Sequence, residues 1–139
     1  MLKRLLKIHE FSNKNPTLLK LSTIYNSYNT DHLLDQASFL KKELPIRLAH
    51  RTQELYQLPE EIVNSPSIHS VYDLYVSSFE RIMNFDDIKN KDNVINFASL
   101  LQDIKQKHKN IEFDISKALN INQGSDDFIY CTEKQKIDK

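Results

Sequence analysis

The stretch FLKKELPIRLAHRTQELYQLPEEIVNSPSIHSVYDLYVSSFERIMNF, Phe39 to Phe85, decides the fold. Just before and inside it, Leu33, Leu34, Ala37, Leu40 and Leu44 recur at three- and four-residue spacing. The pattern resumes past Pro45 at Ile46, Leu48, Ala49, Leu55 and Leu58. That is the period of one long helix with a proline inside it. A proline in a helix has no N–H to donate and crowds the preceding turn, at about 3 kcal/mol in an isolated helix. The reading is therefore a kinked long helix whose packing offsets that cost. Pro59 stops it. Ser65-Pro66 then supplies a side-chain cap followed by proline at the first helical position. Beyond it Ile68, Val71, Leu74, Tyr75, Ser78, Phe79, Ile82 and Met83 lay an apolar stripe along the next helix.

Working outward, one glycine and four prolines in 139 residues leave few places for hairpins, and the apolar spacing stays helical. The fold class is all-α, an up-and-down helical bundle. A first helix is expected from Leu2 to about Phe11, and a short second one from Pro16-Thr17 to about Tyr28. Asp31 is a suitable N-cap for the long third helix. After a charged loop from Asp86 to Asp92, one further helix carries Val94, Phe97, Leu100, Leu101, Ile104, His108, Ile111, Ile115 and Leu119, and Gly124 ends it. Residues 1–124 thus form the bundle, and 125–139 a polar, frayed tail.

Nineteen basic and nineteen acidic side chains cancel, so no global positive field draws the chain to nucleic acid. No apolar run approaches the roughly 20 residues that span a bilayer. The single cysteine, Cys131, excludes an internal disulfide framework and any multi-cysteine zinc site. The start, MLKRLLKIH, is basic, amphipathic and free of acid before Glu10. It reads either as a transit segment or as a first helix with a solvated basic face.

Little in the sequence suggests chemistry. His9, His32, His50, His69 and His108 form no pair at metal-ligand helical spacing. Ser77 and Ser78 lack a glycine-framed elbow, and Cys131 lacks a flanking histidine. A Mg-ATP site needs phosphate-cradling amides, normally supplied by glycines, and Gly124 is the only glycine. Tyr75 and His108 stand out as polar groups on apolar stripes. Each is either a partly buried side chain satisfied by a hydrogen bond or part of a ligand pocket.

The Phe-Leu-basic-basic-Glu-Leu-Pro string at Phe39, the Leu-Pro stop, the Pro-Ser restart and Tyr75-x-x-Ser78, in that order, resemble the N-terminal domain of the mitochondrial 2-oxoacid dehydrogenase kinases. This group includes pyruvate dehydrogenase kinase and branched-chain 2-oxoacid dehydrogenase kinase. The resemblance covers roughly Phe11 to Leu119. It implies the regulatory and lipoyl-docking half of a mitochondrial-matrix protein-serine kinase that phosphorylates the E1 subunit and switches a dehydrogenase complex off. The partners implied are the lipoyl domain of the acyltransferase core and, for the complete kinase, E1. ATP and Mg belong to a catalytic domain that this sequence does not contain, and the chain alone is expected to be inactive.

Two sites come with the resemblance. Leu19, Ile24, Tyr28 and Phe39 correspond to a lipoyl pocket. Leu48, Tyr75, Ser78, Ile104, Lys105 and His108 correspond to an allosteric pocket for small organic acids such as pyruvate and dichloroacetate. Lys105 stands where the pyruvate dehydrogenase kinases usually carry arginine, and Leu74 where an aromatic residue is common. The family completes the acid pocket and closes the bundle with a helix further downstream. A fragment, a truncated gene product or a split gene is therefore expected, with a partly open apolar groove that favours association, including a homodimer. The alternative reading is a free-standing, non-catalytic helical adaptor or inhibitor that binds lipoyl domains or a kinase partner.

Overall fold

The computed structural model describes residues 2–18 and 32–121. Among them every regular element is helical: α1 (Leu2–Ser12), α2 (Leu33–Tyr56), α3 (Glu60–Val63), α4 (Pro66–Met83), α5 (Lys91–Lys107), a 3-10 turn (His108–Asn110) and α6 (Ile111–Ile121). The expected second helix does not begin at Pro16-Thr17, since residues 16–18 carry no regular structure; the remainder of that segment, the Asp31 cap, Gly124 and the tail lie outside the described residues.

The long helix runs without interruption from Leu33 to Tyr56 with Pro45 inside it. Pro45 is buried, so its ring contributes packing where its missing N–H removes a helical bond. Ser65 caps α4 as its sequence suggests, its Oγ accepting from the Ile68 amide with Pro66 at the start of the helix. Two features differ from expectation. Pro59 ends the long helix but also leads directly into the short α3, where Glu60 and Glu61 place negative charge at the positive end of the new helix. The single helix expected after the charged loop is divided by the 3-10 turn at 108–110. It also begins earlier, at Lys91, because Asn90 accepts from the Asn93 amide at 2.9 Å and caps it.

Helix α4 organises the core. Val76 and Phe79 pack with Ile8 of α1 and Ala49 of α2. Ile82 packs with Ala37 of α2 and with Phe97 and Ile104 of α5. Val71 meets Leu55 of α2 and Ile111 of α6, while Ile68 meets Ile62 of α3 and Ala118 of α6. The 3-10 turn separates two duties: α5 packs on α2, and α6 packs chiefly on the first half of α4, through Val71 and Ile68. Burying apolar surface on α4 against the five other helices is the main source of stability, at about 25 cal/mol per Å² removed from water.

Candidate functional site

Of the residues assigned to an acid pocket, three form one hydrogen-bonded and ring-packed group. Ser78 Oγ and His108 Nε2 are 2.7 Å apart, joining α4 to the 3-10 turn. The Tyr75 ring, one turn before Ser78, meets the His108 ring edge to face, with centroids 5.2 Å apart at 79°. Ser78 is only 3% exposed, while Tyr75 and His108 are half-buried. Burial shapes the titration of both rings. It holds the His108 imidazole below its ordinary pKa and raises the Tyr75 phenol, with nearby Arg51 opposing and Glu54 adding to the latter shift. Burial thus favours the neutral form of His108, which shares a hydrogen bond with the serine.

Of the other two apolar candidates, Ile104 is buried in the α2–α4–α5 core and Leu48 packs against that core and the neighbouring one, while Tyr75 packs with Leu55, Val71 and Ile111. Lys105 is exposed on α5. The Ser78 hydroxyl and the His108 imidazole satisfy each other in this arrangement.

Of the lipoyl-pocket residues, Leu19, Ile24 and Tyr28 lie outside the described residues. Phe39 is on α2 and is 38% exposed, accompanied by exposed Leu33, Leu34 and Leu40 on the same N-terminal half of the helix. At 100° per residue Leu33 and Leu40 share one side of the helix and Phe39 stands about a third of a turn away from them, so Phe39 is a partly exposed aromatic of its own.

A third constellation, which the sequence reading passed over, fixes how the chain enters this region. Glu43 is 5% exposed, and its carboxylate accepts from the Thr17 amide at 2.7 Å and from the Thr17 hydroxyl at 2.9 Å. Arg47, one turn on, donates to Glu43 at 3.3 Å and to the Thr17 carbonyl at 3.0 Å. His50 Nε2 lies 2.7 Å from the Lys14 carbonyl. The Glu-Leu-Pro-x-Arg landmark is thus a clamp. Its acid and base stand four apart, on one face of α2, and grip both backbone polar groups of Thr17. The only hint in the sequence was the i, i+4 charge pair itself. Among the described residues no group of histidine, cysteine and carboxylate side chains could hold a metal, and no helix is long and apolar enough to cross a membrane.

Comparison with known proteins follows the same outline. The profile of the family described as "Mitochondrial branched-chain alpha-ketoacid dehydrogenase kinase" matches residues 15–128. A mitochondrial pyruvate dehydrogenase (acetyl-transferring) kinase of Arabidopsis thaliana is 37% identical over 92 residues, 66% of this chain and 25% of its own length. Isozyme 3 of the mitochondrial enzyme from Mus musculus is 30% identical over 109 residues, 76% of this chain and 26% of its own. Its Homo sapiens counterpart is 28% identical over the same length. The chain therefore spans about a quarter of the length of these curated relatives.

Proposed function

From the premise that this chain belongs to the mitochondrial branched-chain alpha-ketoacid dehydrogenase kinase family, we propose that it is a docking and regulatory domain. It acts in the mitochondrial matrix on a 2-oxoacid dehydrogenase complex. Its relatives are named as pyruvate dehydrogenase kinases, and the proposed substrate of the kinase activity is correspondingly the E1 subunit of such a complex. Phosphoryl transfer itself calls for a phosphate cradle that a chain with Gly124 as its only glycine is poorly equipped to build. The role assigned to these residues is binding.

The observation that carries the reading is the partly exposed Phe39 of α2, held next to a clamped Thr17. Phe39, with Leu19, Ile24 and Tyr28 contributed from the segment that Thr17 leads into, takes the aliphatic dithiolane of a lipoyl-lysine arm. The Tyr75, Ser78 and His108 group, with Leu48, Ile104 and Lys105, receives a small organic acid, whose charge favours the imidazolium form of His108. Both sites face helix α2 or its packing partners, so occupancy of one bears on the other through a single rigid element.

Titrating a lipoylated domain from a dehydrogenase acyltransferase into the wild type and into Phe39→Ala tests the docking assignment. Weaker binding by the variant, by about tenfold for loss of a hot-spot aromatic, is expected. Equal affinity removes Phe39 from the site and the reading loses its main support.

A further inference from the structure

Away from the Tyr75, Ser78 and His108 group, a cleft of about 670 Å³ opens between the end of α1, the first half of α2 and the loop before α5. Lys14, Lys41, Lys42 and Lys89 line it against one carboxylate, Asp87. Four ammonium groups less one carboxylate give a local charge of +3 in a chain whose charges cancel overall. The apolar part of the lining comes from Phe11, Ile46, Ile82 and Met83 among others.

The present partners of these lysines are weak. Lys14 Nζ lies 3.8 Å from the centroid of the Phe11 ring. Lys41 Nζ is 3.2 Å from Asp87, whose side chain is 80% exposed and screened by water. The lysines come from three separate segments and repel one another, so an anion placed among them removes that repulsion. The apolar walls lower the local dielectric and strengthen its attraction. All the cations are lysines, and no arginine among the described residues lines the cleft. Compact ammonium groups act as point charges, and three or four of them around one site attract a doubly charged phosphate monoester more strongly than a singly charged carboxylate.

We propose that this cleft binds a phosphate monoester with an apolar tail, the phosphate among the lysines and the tail against Phe11 and Met83. The ester is either a soluble alkyl phosphate or the headgroup of a phosphatidate-type lipid. Decyl phosphate, kept below its micellar concentration, is the probe for calorimetry and amide NMR on the full chain. Saturable binding is expected, roughly tenfold tighter than inorganic phosphate, with signals moving at Met83 and Lys89. A Lys42→Glu, Lys89→Glu double variant should lose about tenfold in affinity, while Lys117→Glu, on the distant α6, leaves it unchanged. If the double variant is poorly helical by circular dichroism, the milder Lys42→Gln, Lys89→Gln pair takes its place with the same expectation. Absence of saturable binding, equal affinity in a folded double variant, or equally tight binding of decanol overturns the proposal. Co-sedimentation with phosphatidate-containing vesicles assigns the lipid headgroup, whereas binding of monomeric decyl phosphate alone assigns the soluble ester.

Discussion

Replacing Glu43 by alanine should destabilise the bundle by about 3 kcal/mol. The carboxylate is almost wholly buried and takes two hydrogen bonds from Thr17, at 2.7 and 2.9 Å, besides its contact with Arg47 at 3.3 Å. Hydrogen bonds to a charged group contribute about 1.5–3 kcal/mol each, so the two bonds to Thr17 set a range of roughly 3–6 kcal/mol. The lower end applies, because the Arg47 side chain is 42% exposed and finds water when its partner goes. In urea, with a slope of about 1.5 kcal/mol per molar, the midpoint should fall by about 2 M. Glu43→Gln keeps the shape and one acceptor and should cost only about 1 kcal/mol. In a Thr17→Val background, which has already lost the hydroxyl bond, Glu43→Ala should cost less than in the wild type, since the two residues form one network. The same variant releases Thr17 and should weaken lipoyl-domain binding without touching Phe39. A loss below about 1 kcal/mol, or an identical loss in the Thr17→Val background, refutes the clamp.

Three further outcomes follow from the geometry. Phe79→Ala removes a side chain that is 1% exposed at the meeting of α1, α2 and α4, where it also stacks edge to face on Phe11, and should cost about 3–5 kcal/mol by urea unfolding. His108 has its folded pKa below the unfolded value of about 6.5, so the unfolded chain binds more protons in that window. Stability should therefore fall as pH drops from about 6.5 toward the folded pKa, and a His108→Asn variant should show a flatter dependence over the same range. Pyruvate bound beside the imidazole should raise the His108 pKa measured by NMR, and Ser78→Ala should reduce that response; an unchanged pKa at saturating acid removes His108 from the pocket.

Much of the architecture was legible because local chemistry announces it. Ser65-Pro66 carries both a capping hydroxyl and a proline suited to the first turn, and the helix starts there. The resumption of apolar spacing after Pro45 marked one helix through the proline, and the helix is continuous. The division at His108–Asn110 was not legible. The apolar stripe runs unbroken from Ile104 through His108 to Ile111 and Ile115, with no glycine or proline to mark the turn, and tertiary packing of α5 on α2 and of α6 on the first half of α4 decides it. Within the site, the apolar stripes singled out Tyr75 and His108. Their meeting with Ser78 depends on two helices converging from thirty residues apart. The Glu43 clamp was hidden for the same reason, since its partner Thr17 is twenty-six residues upstream.

The most direct test of the docking role is a calorimetric comparison of one acyltransferase domain in its lipoylated and lipoyl-free forms, each titrated into the wild-type chain. The account predicts saturable binding that depends on the lipoyl group and carries the negative heat-capacity change of apolar burial at the Phe39 end of α2. Equal binding of the two forms, or binding of neither, would contradict it.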